Sequence, residues 1–430
     1  MLKNKDFNGQ NICNKIYFLI IVLFFIGTLV GCSKEVSVET EEVTAKVAGK
    51  VIDDSGIQGI TVRLLRLSAD GNTEIVSVND VNTKSDGKFV LETNLDGEGS
   101  LLVQAEQGSK EWRGILTASV KPGIAVYSQP LDNVTTISAD LFTRAHKSGL
   151  NLDYTQIRIL INDEIAAIIG ENEELMDKVV KAVNLGFIAE KQTMLKPEIG
   201  GTTLQWQQII VAKNAAQTAL DRDLYYALSE NAEHAALNSY LYSISDAYVD
   251  VGMQSESFSK VLEASLRTFL REIEGINSRL EFEFLRRTSE IRAWILNASV
   301  LAEFQKLGAD PSMINMVIEA GVNLQKNLES GQSAEDIANE FTGYRNEVLE
   351  NLVKVLGVYG NNVQTFQENI AGFKIALISE INQSMNSDDV IDAYLSFFGK
   401  IKSLVAQQLN RETGEADAAA EVLILLNMYF

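Results

Sequence analysis

Residues 262–298 read LEASLRTFLREIEGINSRLEFEFLRRTSEIRAWILNA, and the spacing of their apolar residues decides the fold of most of the chain. Leu262, Leu266, Phe269, Ile273, Ile276 and Leu280 recur at intervals of 4-3-4-3-4, the seam of helices packed nearly side by side. Beyond Leu280 the seam runs through Phe284, Thr288, Ile291, Ile295 and Ala298 with two consecutive steps of four, a stutter that relaxes supercoiling. The helical pattern covers 254–307, about 50 residues or roughly 75 Å if unbroken. Gly275 is its expected weak point.

Residues 203–250 read as a second long helix, in which Ala212, Ala215, Ala216, Ala219, Ala235 and Ala236 permit close approach of a neighbour. Shorter amphipathic helices are expected near 312–329, 334–357, 361–384, 388–410 and 415–430. Ser333-Ala334-Glu335-Asp336 resembles a capping box, with Asp336 in place of the usual Glu or Gln. Pro197 and Pro311 fall in breaks between helices. The economical structure for 153–430 is a large all-α helical bundle with two long antiparallel helices.

Upstream, Val47 to Val126 has a β texture. The runs VAGKVI, GITVRLLRL, TEIVSV, KFVLET, SLLVQAEQ and RGILTASV are separated by Asp/Gly turns at short intervals. Such a series predicts a small antiparallel β-sandwich. Asp53, Asp54, Asp70, Asp86 and Asp96 stand where turns want them, with no calcium-loop spacing. The chain is therefore expected to be a multidomain α and β protein: sandwich at 47–130, connector at 131–152, bundle at 153–430.

The G-x-V opening, the hairpin through Asp53, Gly56, Gly59 and Val62, and the segment Thr83, Ser85, Asp86, Gly87, Phe89 resemble the carboxypeptidase regulatory-like domain, a transthyretin-like β-sandwich. The resemblance covers roughly 80 residues, under a fifth of the chain. It implies a spacer or interaction module without catalytic residues.

The N-terminus carries Lys3, Lys5 and Lys15, then the apolar run 16–30 (IYFLIIVLFFIGTLV), then Gly31 and Cys32. A basic start, a short apolar core and small residues at the exit describe a secretory signal peptide over 1–31. Leu29-Val30-Gly31-Cys32 resembles a bacterial lipobox. That resemblance implies cleavage between Gly31 and Cys32, with acyl chains attached to Cys32. Several buried chains together hold a protein where one does so only marginally. Residues 32–46 read as the lipidated cysteine and an acidic tether through Glu35, Glu39, Glu41 and Glu42. Ser33 after the cysteine resembles lipoproteins sorted to the outer membrane. The expected location is thus the bacterial cell envelope. Cys13 would leave with the leader, so no disulfide is expected in the mature chain.

Acidic residues number 58 against 37 basic, a net charge of −21. That balance argues against nucleic acid, whose phosphates want Lys/Arg patches. His146 and His234 are the only histidines, and neither sits in a ligand motif, so no metal or other cofactor is expected. Ser257-Phe258-Ser259-Lys260 matches the S-x-x-K nucleophile pattern, but its Lys-Thr-Gly and Ser-Asp-Asn partners are missing. No P-loop, G-x-S-x-G or G-x-G-x-x-G occurs, and no catalytic residue is assigned. Tyr225-Tyr226 and Tyr240, Tyr242 and Tyr248 are expected to pack at helical spacing, with a ligand groove as the alternative. The apolar end VLILL does not alternate like the last strand of an outer-membrane barrel and fits a buried helix.

These features point to a non-catalytic, lipid-anchored envelope protein that binds or scaffolds another envelope protein. The alternatives are an envelope hydrolase using paired carboxylates in a bundle groove, or a solute- or peptide-binding lipoprotein. An apolar cleft with convergent carboxylates would favour the hydrolase, a closed cavity of ligand size the solute binder. An exposed apolar stripe on a long helix would favour a protein partner.

Overall fold

The computed structural model describes residues 44–53, 57–96, 100–170, 172–253, 255–358, 361–383, 387–409 and 413–428. Residues 44–430 cluster as one compact unit that holds both the strands and the helices.

Among the described residues eight strands form two sheets: β1 Ala45–Lys50, β2 Thr61–Leu67, β3 Thr73–Ile75, β4 Val81–Asn82, β5 Lys88–Thr93, β6 Leu101–Gln107, β7 Lys110–Leu116 and β8 Ala125–Tyr127. The first sheet has the order β5-β1-β8 and the second β3-β2-β6-β7, with β4 also on β2. Every pair is antiparallel except β1 with β8, where Lys46 faces Ala125 and Ala48 faces Tyr127 in parallel. Val47, Leu91, Val62, Leu64, Val103 and Trp112 fill the space between the sheets.

The second sheet buries both faces. Leu64 points into the sandwich while Leu65, Leu67, Leu102 and Ile115 join the core of the helices. Strict alternation suits a sheet with one wet face; a sheet with two dry faces reads as doubled apolar residues. Leu64-Leu65, Leu101-Leu102 and Ile115-Leu116 are those doublets, and all six are buried.

The helix that covers this second face is α1, Asn133–Lys147, in the stretch expected to be a connector. Asp132 caps it through the Thr135 N–H at 2.8 Å, and the Thr135 hydroxyl accepts from the Asp132 N–H at 2.9 Å. Ile137, Leu141, Phe142 and Ala145 form its buried stripe. The connector at 131–152 thus consists mostly of a helix packed against the second sheet.

The helices then run α2 Tyr154–Leu160, α3 Asp163–Ile169, α4 Glu173–Met194, α5 Thr203–Tyr226, α6 Glu230–Asp250, α7 Ser255–Ile273 and α8 Ser278–Lys306. α9 Pro311–Ser330, α10 Ala334–Val355, α11 Asn361–Gln383, α12 Ser387–Leu409 and α13 Thr413–Met428 complete the chain. Each of the two long helical segments is divided. Gly275, at φ +79°, turns the chain between α7 and α8. Ala227 to Ser229 turn it between α5 and α6, where the Ser229 hydroxyl accepts from the Ala232 N–H at 3.3 Å.

α8 is the spine. Leu280, Phe284, Ile291 and Ile295 belong to the core shared with the sheet, whereas Leu296, Val300 and Phe304 belong to a second core with α9 to α13. The C-terminal run Val422 to Leu426 is buried in that second core, on helix α13. No helix among the described residues is long and apolar enough to cross a membrane.

Candidate functional site

The short helix α2 stands where sheet and bundle meet, and around it gathers a network of buried polar side chains. α5 presents Lys213, Gln217 and Asp221 in one row, four residues apart, all buried. Lys213 Nζ donates to Glu190 Oε1 on α4 at 2.7 Å, and Gln156 Nε2 on α2 donates to Glu190 Oε2 at 3.0 Å. The Tyr248 hydroxyl on α6 also donates to Glu190 Oε1, and the Lys213 ammonium lies 5.0 Å from the Tyr248 ring centre. Glu190 is thereby held by three donors from three helices, and an ion pair this dry needs all of them.

About two turns beyond Lys213 on α5, Asp221 accepts from Gln217 Nε2 at 2.8 Å and from the Thr117 hydroxyl at 3.3 Å. Among the described residues no cation is hydrogen-bonded or ion-paired to it. Burial pushes its carboxyl up to about 7, against the lowering effects of Gln217, Arg158 and Thr117.

Two spaces flank α2. A cavity of about 60 Å³ lies among α2, α4, α5, α7 and α8, with Gln156, Glu190 and Lys213 on its polar side. It has room for a few waters, not for an organic ligand. The second is an open groove of about 370 Å³ between β7, α1, α2, α4 and α5. Phe142, Tyr154, Phe187 and Trp206 supply its aromatic walls, and Asp153, Asn151 and Lys191 are among its polar lining. Asp153 is its one carboxylate among the described residues, so the groove lacks the facing pair that glycoside hydrolysis uses. A third space, about 530 Å³, is rimmed by Arg113, Asp140, Arg144, Glu173 and Asp177. Its charges answer one another: Arg113 binds Asp140, and Arg144 Nη1 lies 2.9 Å from Asp177 Oδ1.

Two helices expose apolar rows. On α9, Ile314 is half-buried while Ile318 and Val322 are 39% and 57% exposed, at four-residue spacing. On α11, Ala371 is exposed and Ile375 and Ile378 are 70% and 47% exposed, on the side opposite the buried Phe366, Ile370 and Leu377.

Gly31 and Cys32, the residues expected at the lipidation site, lie outside the described residues, as do Cys13 and the 1–43 segment as a whole. His146 ends α1 with its ring 5.5 Å from that of Phe142. The side chain of His234 lies outside the described residues. No group of three or more His, Cys, Asp or Glu suited to a metal occurs among the described residues. Asp70 and Asp86 serve turns: Asp70 accepts from the Asn72 N–H at 3.2 Å and Asp86 from the Lys88 N–H at 3.2 Å. Ser257 and Lys260 stand on the first turns of α7.

The tyrosines divide. Tyr240 and Tyr248 are buried in the bundle, and Tyr242 meets Trp294 edge-on at 4.9 Å. Tyr225 and Tyr226 close on Tyr127 of β8 at 5.0 and 5.3 Å, pinning the α5–α6 turn to the first sheet. The sequence does carry a sign of the buried network, since Lys213, Gln217 and Asp221 interrupt an otherwise Ala- and Leu-rich helical face. It carries none of Glu190's other partners, which come from separate elements. The chain matches no family model, no curated protein and no solved structure.

Proposed function

We propose that this chain is a lipid-anchored protein of the bacterial cell envelope with a non-catalytic binding or scaffolding role. Cys32, freed by cleavage after Gly31, is its point of attachment, and residues 33–43 are the tether; Ala45 and Lys46, expected at its end, belong to strand β1. Its partner is another envelope protein rather than nucleic acid, in keeping with the net charge of −21. The observation that carries this reading is the pair of exposed apolar rows, Ile318 and Val322 on α9 and Ile375 and Ile378 on α11. Apolar residues repeating on one side of a helix, away from its own core, suit the apolar face of a partner helix. The resemblance of the β region to carboxypeptidase regulatory-like modules supports the same class of role. Packed as the middle layer of the molecule, the second sheet then acts as the platform on which the bundle is built.

The test has two arms. Palmitate labelling of cells expressing wild type and Cys32→Ala is expected to mark only the wild type; equal labelling of both sinks the lipid anchor. A photo-cross-linker at Ile318 or Ile375 is expected to give one discrete adduct in intact envelopes. Adding Val322→Asp or Ile378→Asp beside it should abolish that adduct without changing the melting temperature. An adduct indifferent to the aspartates, or none from either helix, removes the partner surface.

A further inference from the structure

A third apolar face lies on α5, on the side away from its buried row of Lys213, Gln217 and Asp221. Its outermost residues Leu204, Gln208, Val211 and Ala215 are exposed and follow at steps of four, three and four, with Arg222 two turns beyond. Leu204 and Val211 are 64% and 68% exposed. The outer side of a surface helix ordinarily carries charge. In a chain 22% charged, the stretch from Thr203 to Leu220 has a single charged residue, Lys213, and it is buried against Glu190. The rows on α9 and α11 differ, since exposed Glu319 and Lys326 share the first helix and exposed Glu368 the second. Of the alanines expected to admit a neighbouring helix, Ala216 and Ala236 meet in one small core between α5 and α6, whereas Ala215 is open to solvent.

We propose that this face joins two copies of the chain, α5 of one lying antiparallel on α5 of the other, with the twofold axis level with Lys213. Two bodies of net charge −21 repel, so they meet where that charge is locally absent, and this face meets the condition. A basic partner would instead be drawn by carboxylates, which the face lacks. In the antiparallel register Val211 of each copy meets Ala215 of the other. Leu204 meets the aliphatic stem of Arg222, whose guanidinium is held by Asp223 at 2.9 Å. Each larger side chain thus faces a smaller or flexible one, and a single patch completes itself. Parallel pairing would set Val211 on Val211, leave a gap at Ala215 and oppose the two Arg222 charges.

Sedimentation equilibrium of the full-length protein in density-matched detergent tests this. A monomer–dimer equilibrium with a Kd of about 10–100 µM is expected from a contact of one helix on another. It should tighten as salt rises from about 0.05 M to about 0.5 M, because screening relieves the repulsion between two acidic bodies. Val211→Lys and Ala215→Glu, each alone, are expected to weaken the dimer at least about tenfold, since each strands a charge in the contact. Mixing the two variants should restore it, because opposite charges then face each other across the antiparallel pair. Both positions are exposed, so melting temperatures should stay near that of wild type. Should a variant melt early, the salt dependence of the wild type decides alone. A monomer at every concentration, an affinity that falls with salt, folded variants that dimerise like wild type, or a mixture no tighter than either variant overturns the proposal.

Discussion

Lys213 carries its ammonium into a place where Glu190, the Tyr248 ring and apolar side chains replace water. Such a pair gains little over a well-packed apolar pair, yet removing one member strands a charge. Lys213→Ala is therefore expected to lower stability by about 3–5 kcal/mol in urea unfolding, whereas Lys213→Met with Glu190→Met recovers most of it. A loss below about 1 kcal/mol would mean that the pair is not dry. Asp221 makes a different prediction because its partners are neutral. Its carboxyl is raised from 3.8 to about 7 by burial in the folded chain. Between those values the folded state holds a proton that the unfolded state has lost. Stability therefore falls as pH rises from about 4 to about 7 and levels above, by about 1.4 kcal/mol for each pH unit. Asp221→Asn should remove about 2–3 kcal/mol of the decline between pH 5 and pH 8, measured against wild type by denaturant titration. Equal slopes in both proteins would exclude Asp221 as the titrating group.

Among the elements, the breaks in the long helices separate what sequence shows from what it hides. Gly275 interrupts the heptad seam, and the structure turns the chain there at φ +79°. With Cβ present the left-handed backbone is strained, so Gly275→Ala is expected to cost about 1–2 kcal/mol, read as a fall in melting temperature. A rise in melting temperature would mean that α7 and α8 can run on as one helix. The turn between α5 and α6 has no such residue. Ala227 and Leu228 are ordinary helix formers, and only the Ser229 cap marks the restart. Beside that turn Tyr225 and Tyr226 lie against Tyr127, a contact across about 100 residues that periodicity does not register. Gly186 shows the opposite case, a residue neutral in the pattern that the packing requires. A Cβ on it would meet the Ser265 carbonyl oxygen at 3.1 Å, so α4 and α7 approach as closely as their backbones allow.

At the scale of the whole molecule, the strands and helices were legible one by one but their joint was not. Periodicity separates the β texture of 47–126 from the helical texture that follows, and invites a boundary between them. The doublets Leu64-Leu65, Leu101-Leu102 and Ile115-Leu116 tie the two textures together, since each puts one side chain in the sandwich and one toward the bundle. Leu65, Leu67, Leu102 and Ile115 share a core with Ile137 and Leu141 of α1 and with Ile157 of α2. The groove with Asp153 exists only because sheet and helices are joined, which is why no local motif announces it. A sandwich cut away at residue 131 would turn those four apolar side chains to water on one face, and a sheet with an apolar face exposed associates. The excised segment 44–131 is therefore expected to aggregate or remain unfolded. Calorimetry of the intact protein should show the sandwich melting together with α1 and α2 in one transition, since their apolar surfaces are buried only against each other. The four leucine and isoleucine positions supply a second check. Leu65→Asn with Ile115→Asn is expected to rescue solubility of the fragment while lowering the melting temperature of the full chain. A fragment that is monomeric and folded without those changes would restore the sandwich as a free-standing module.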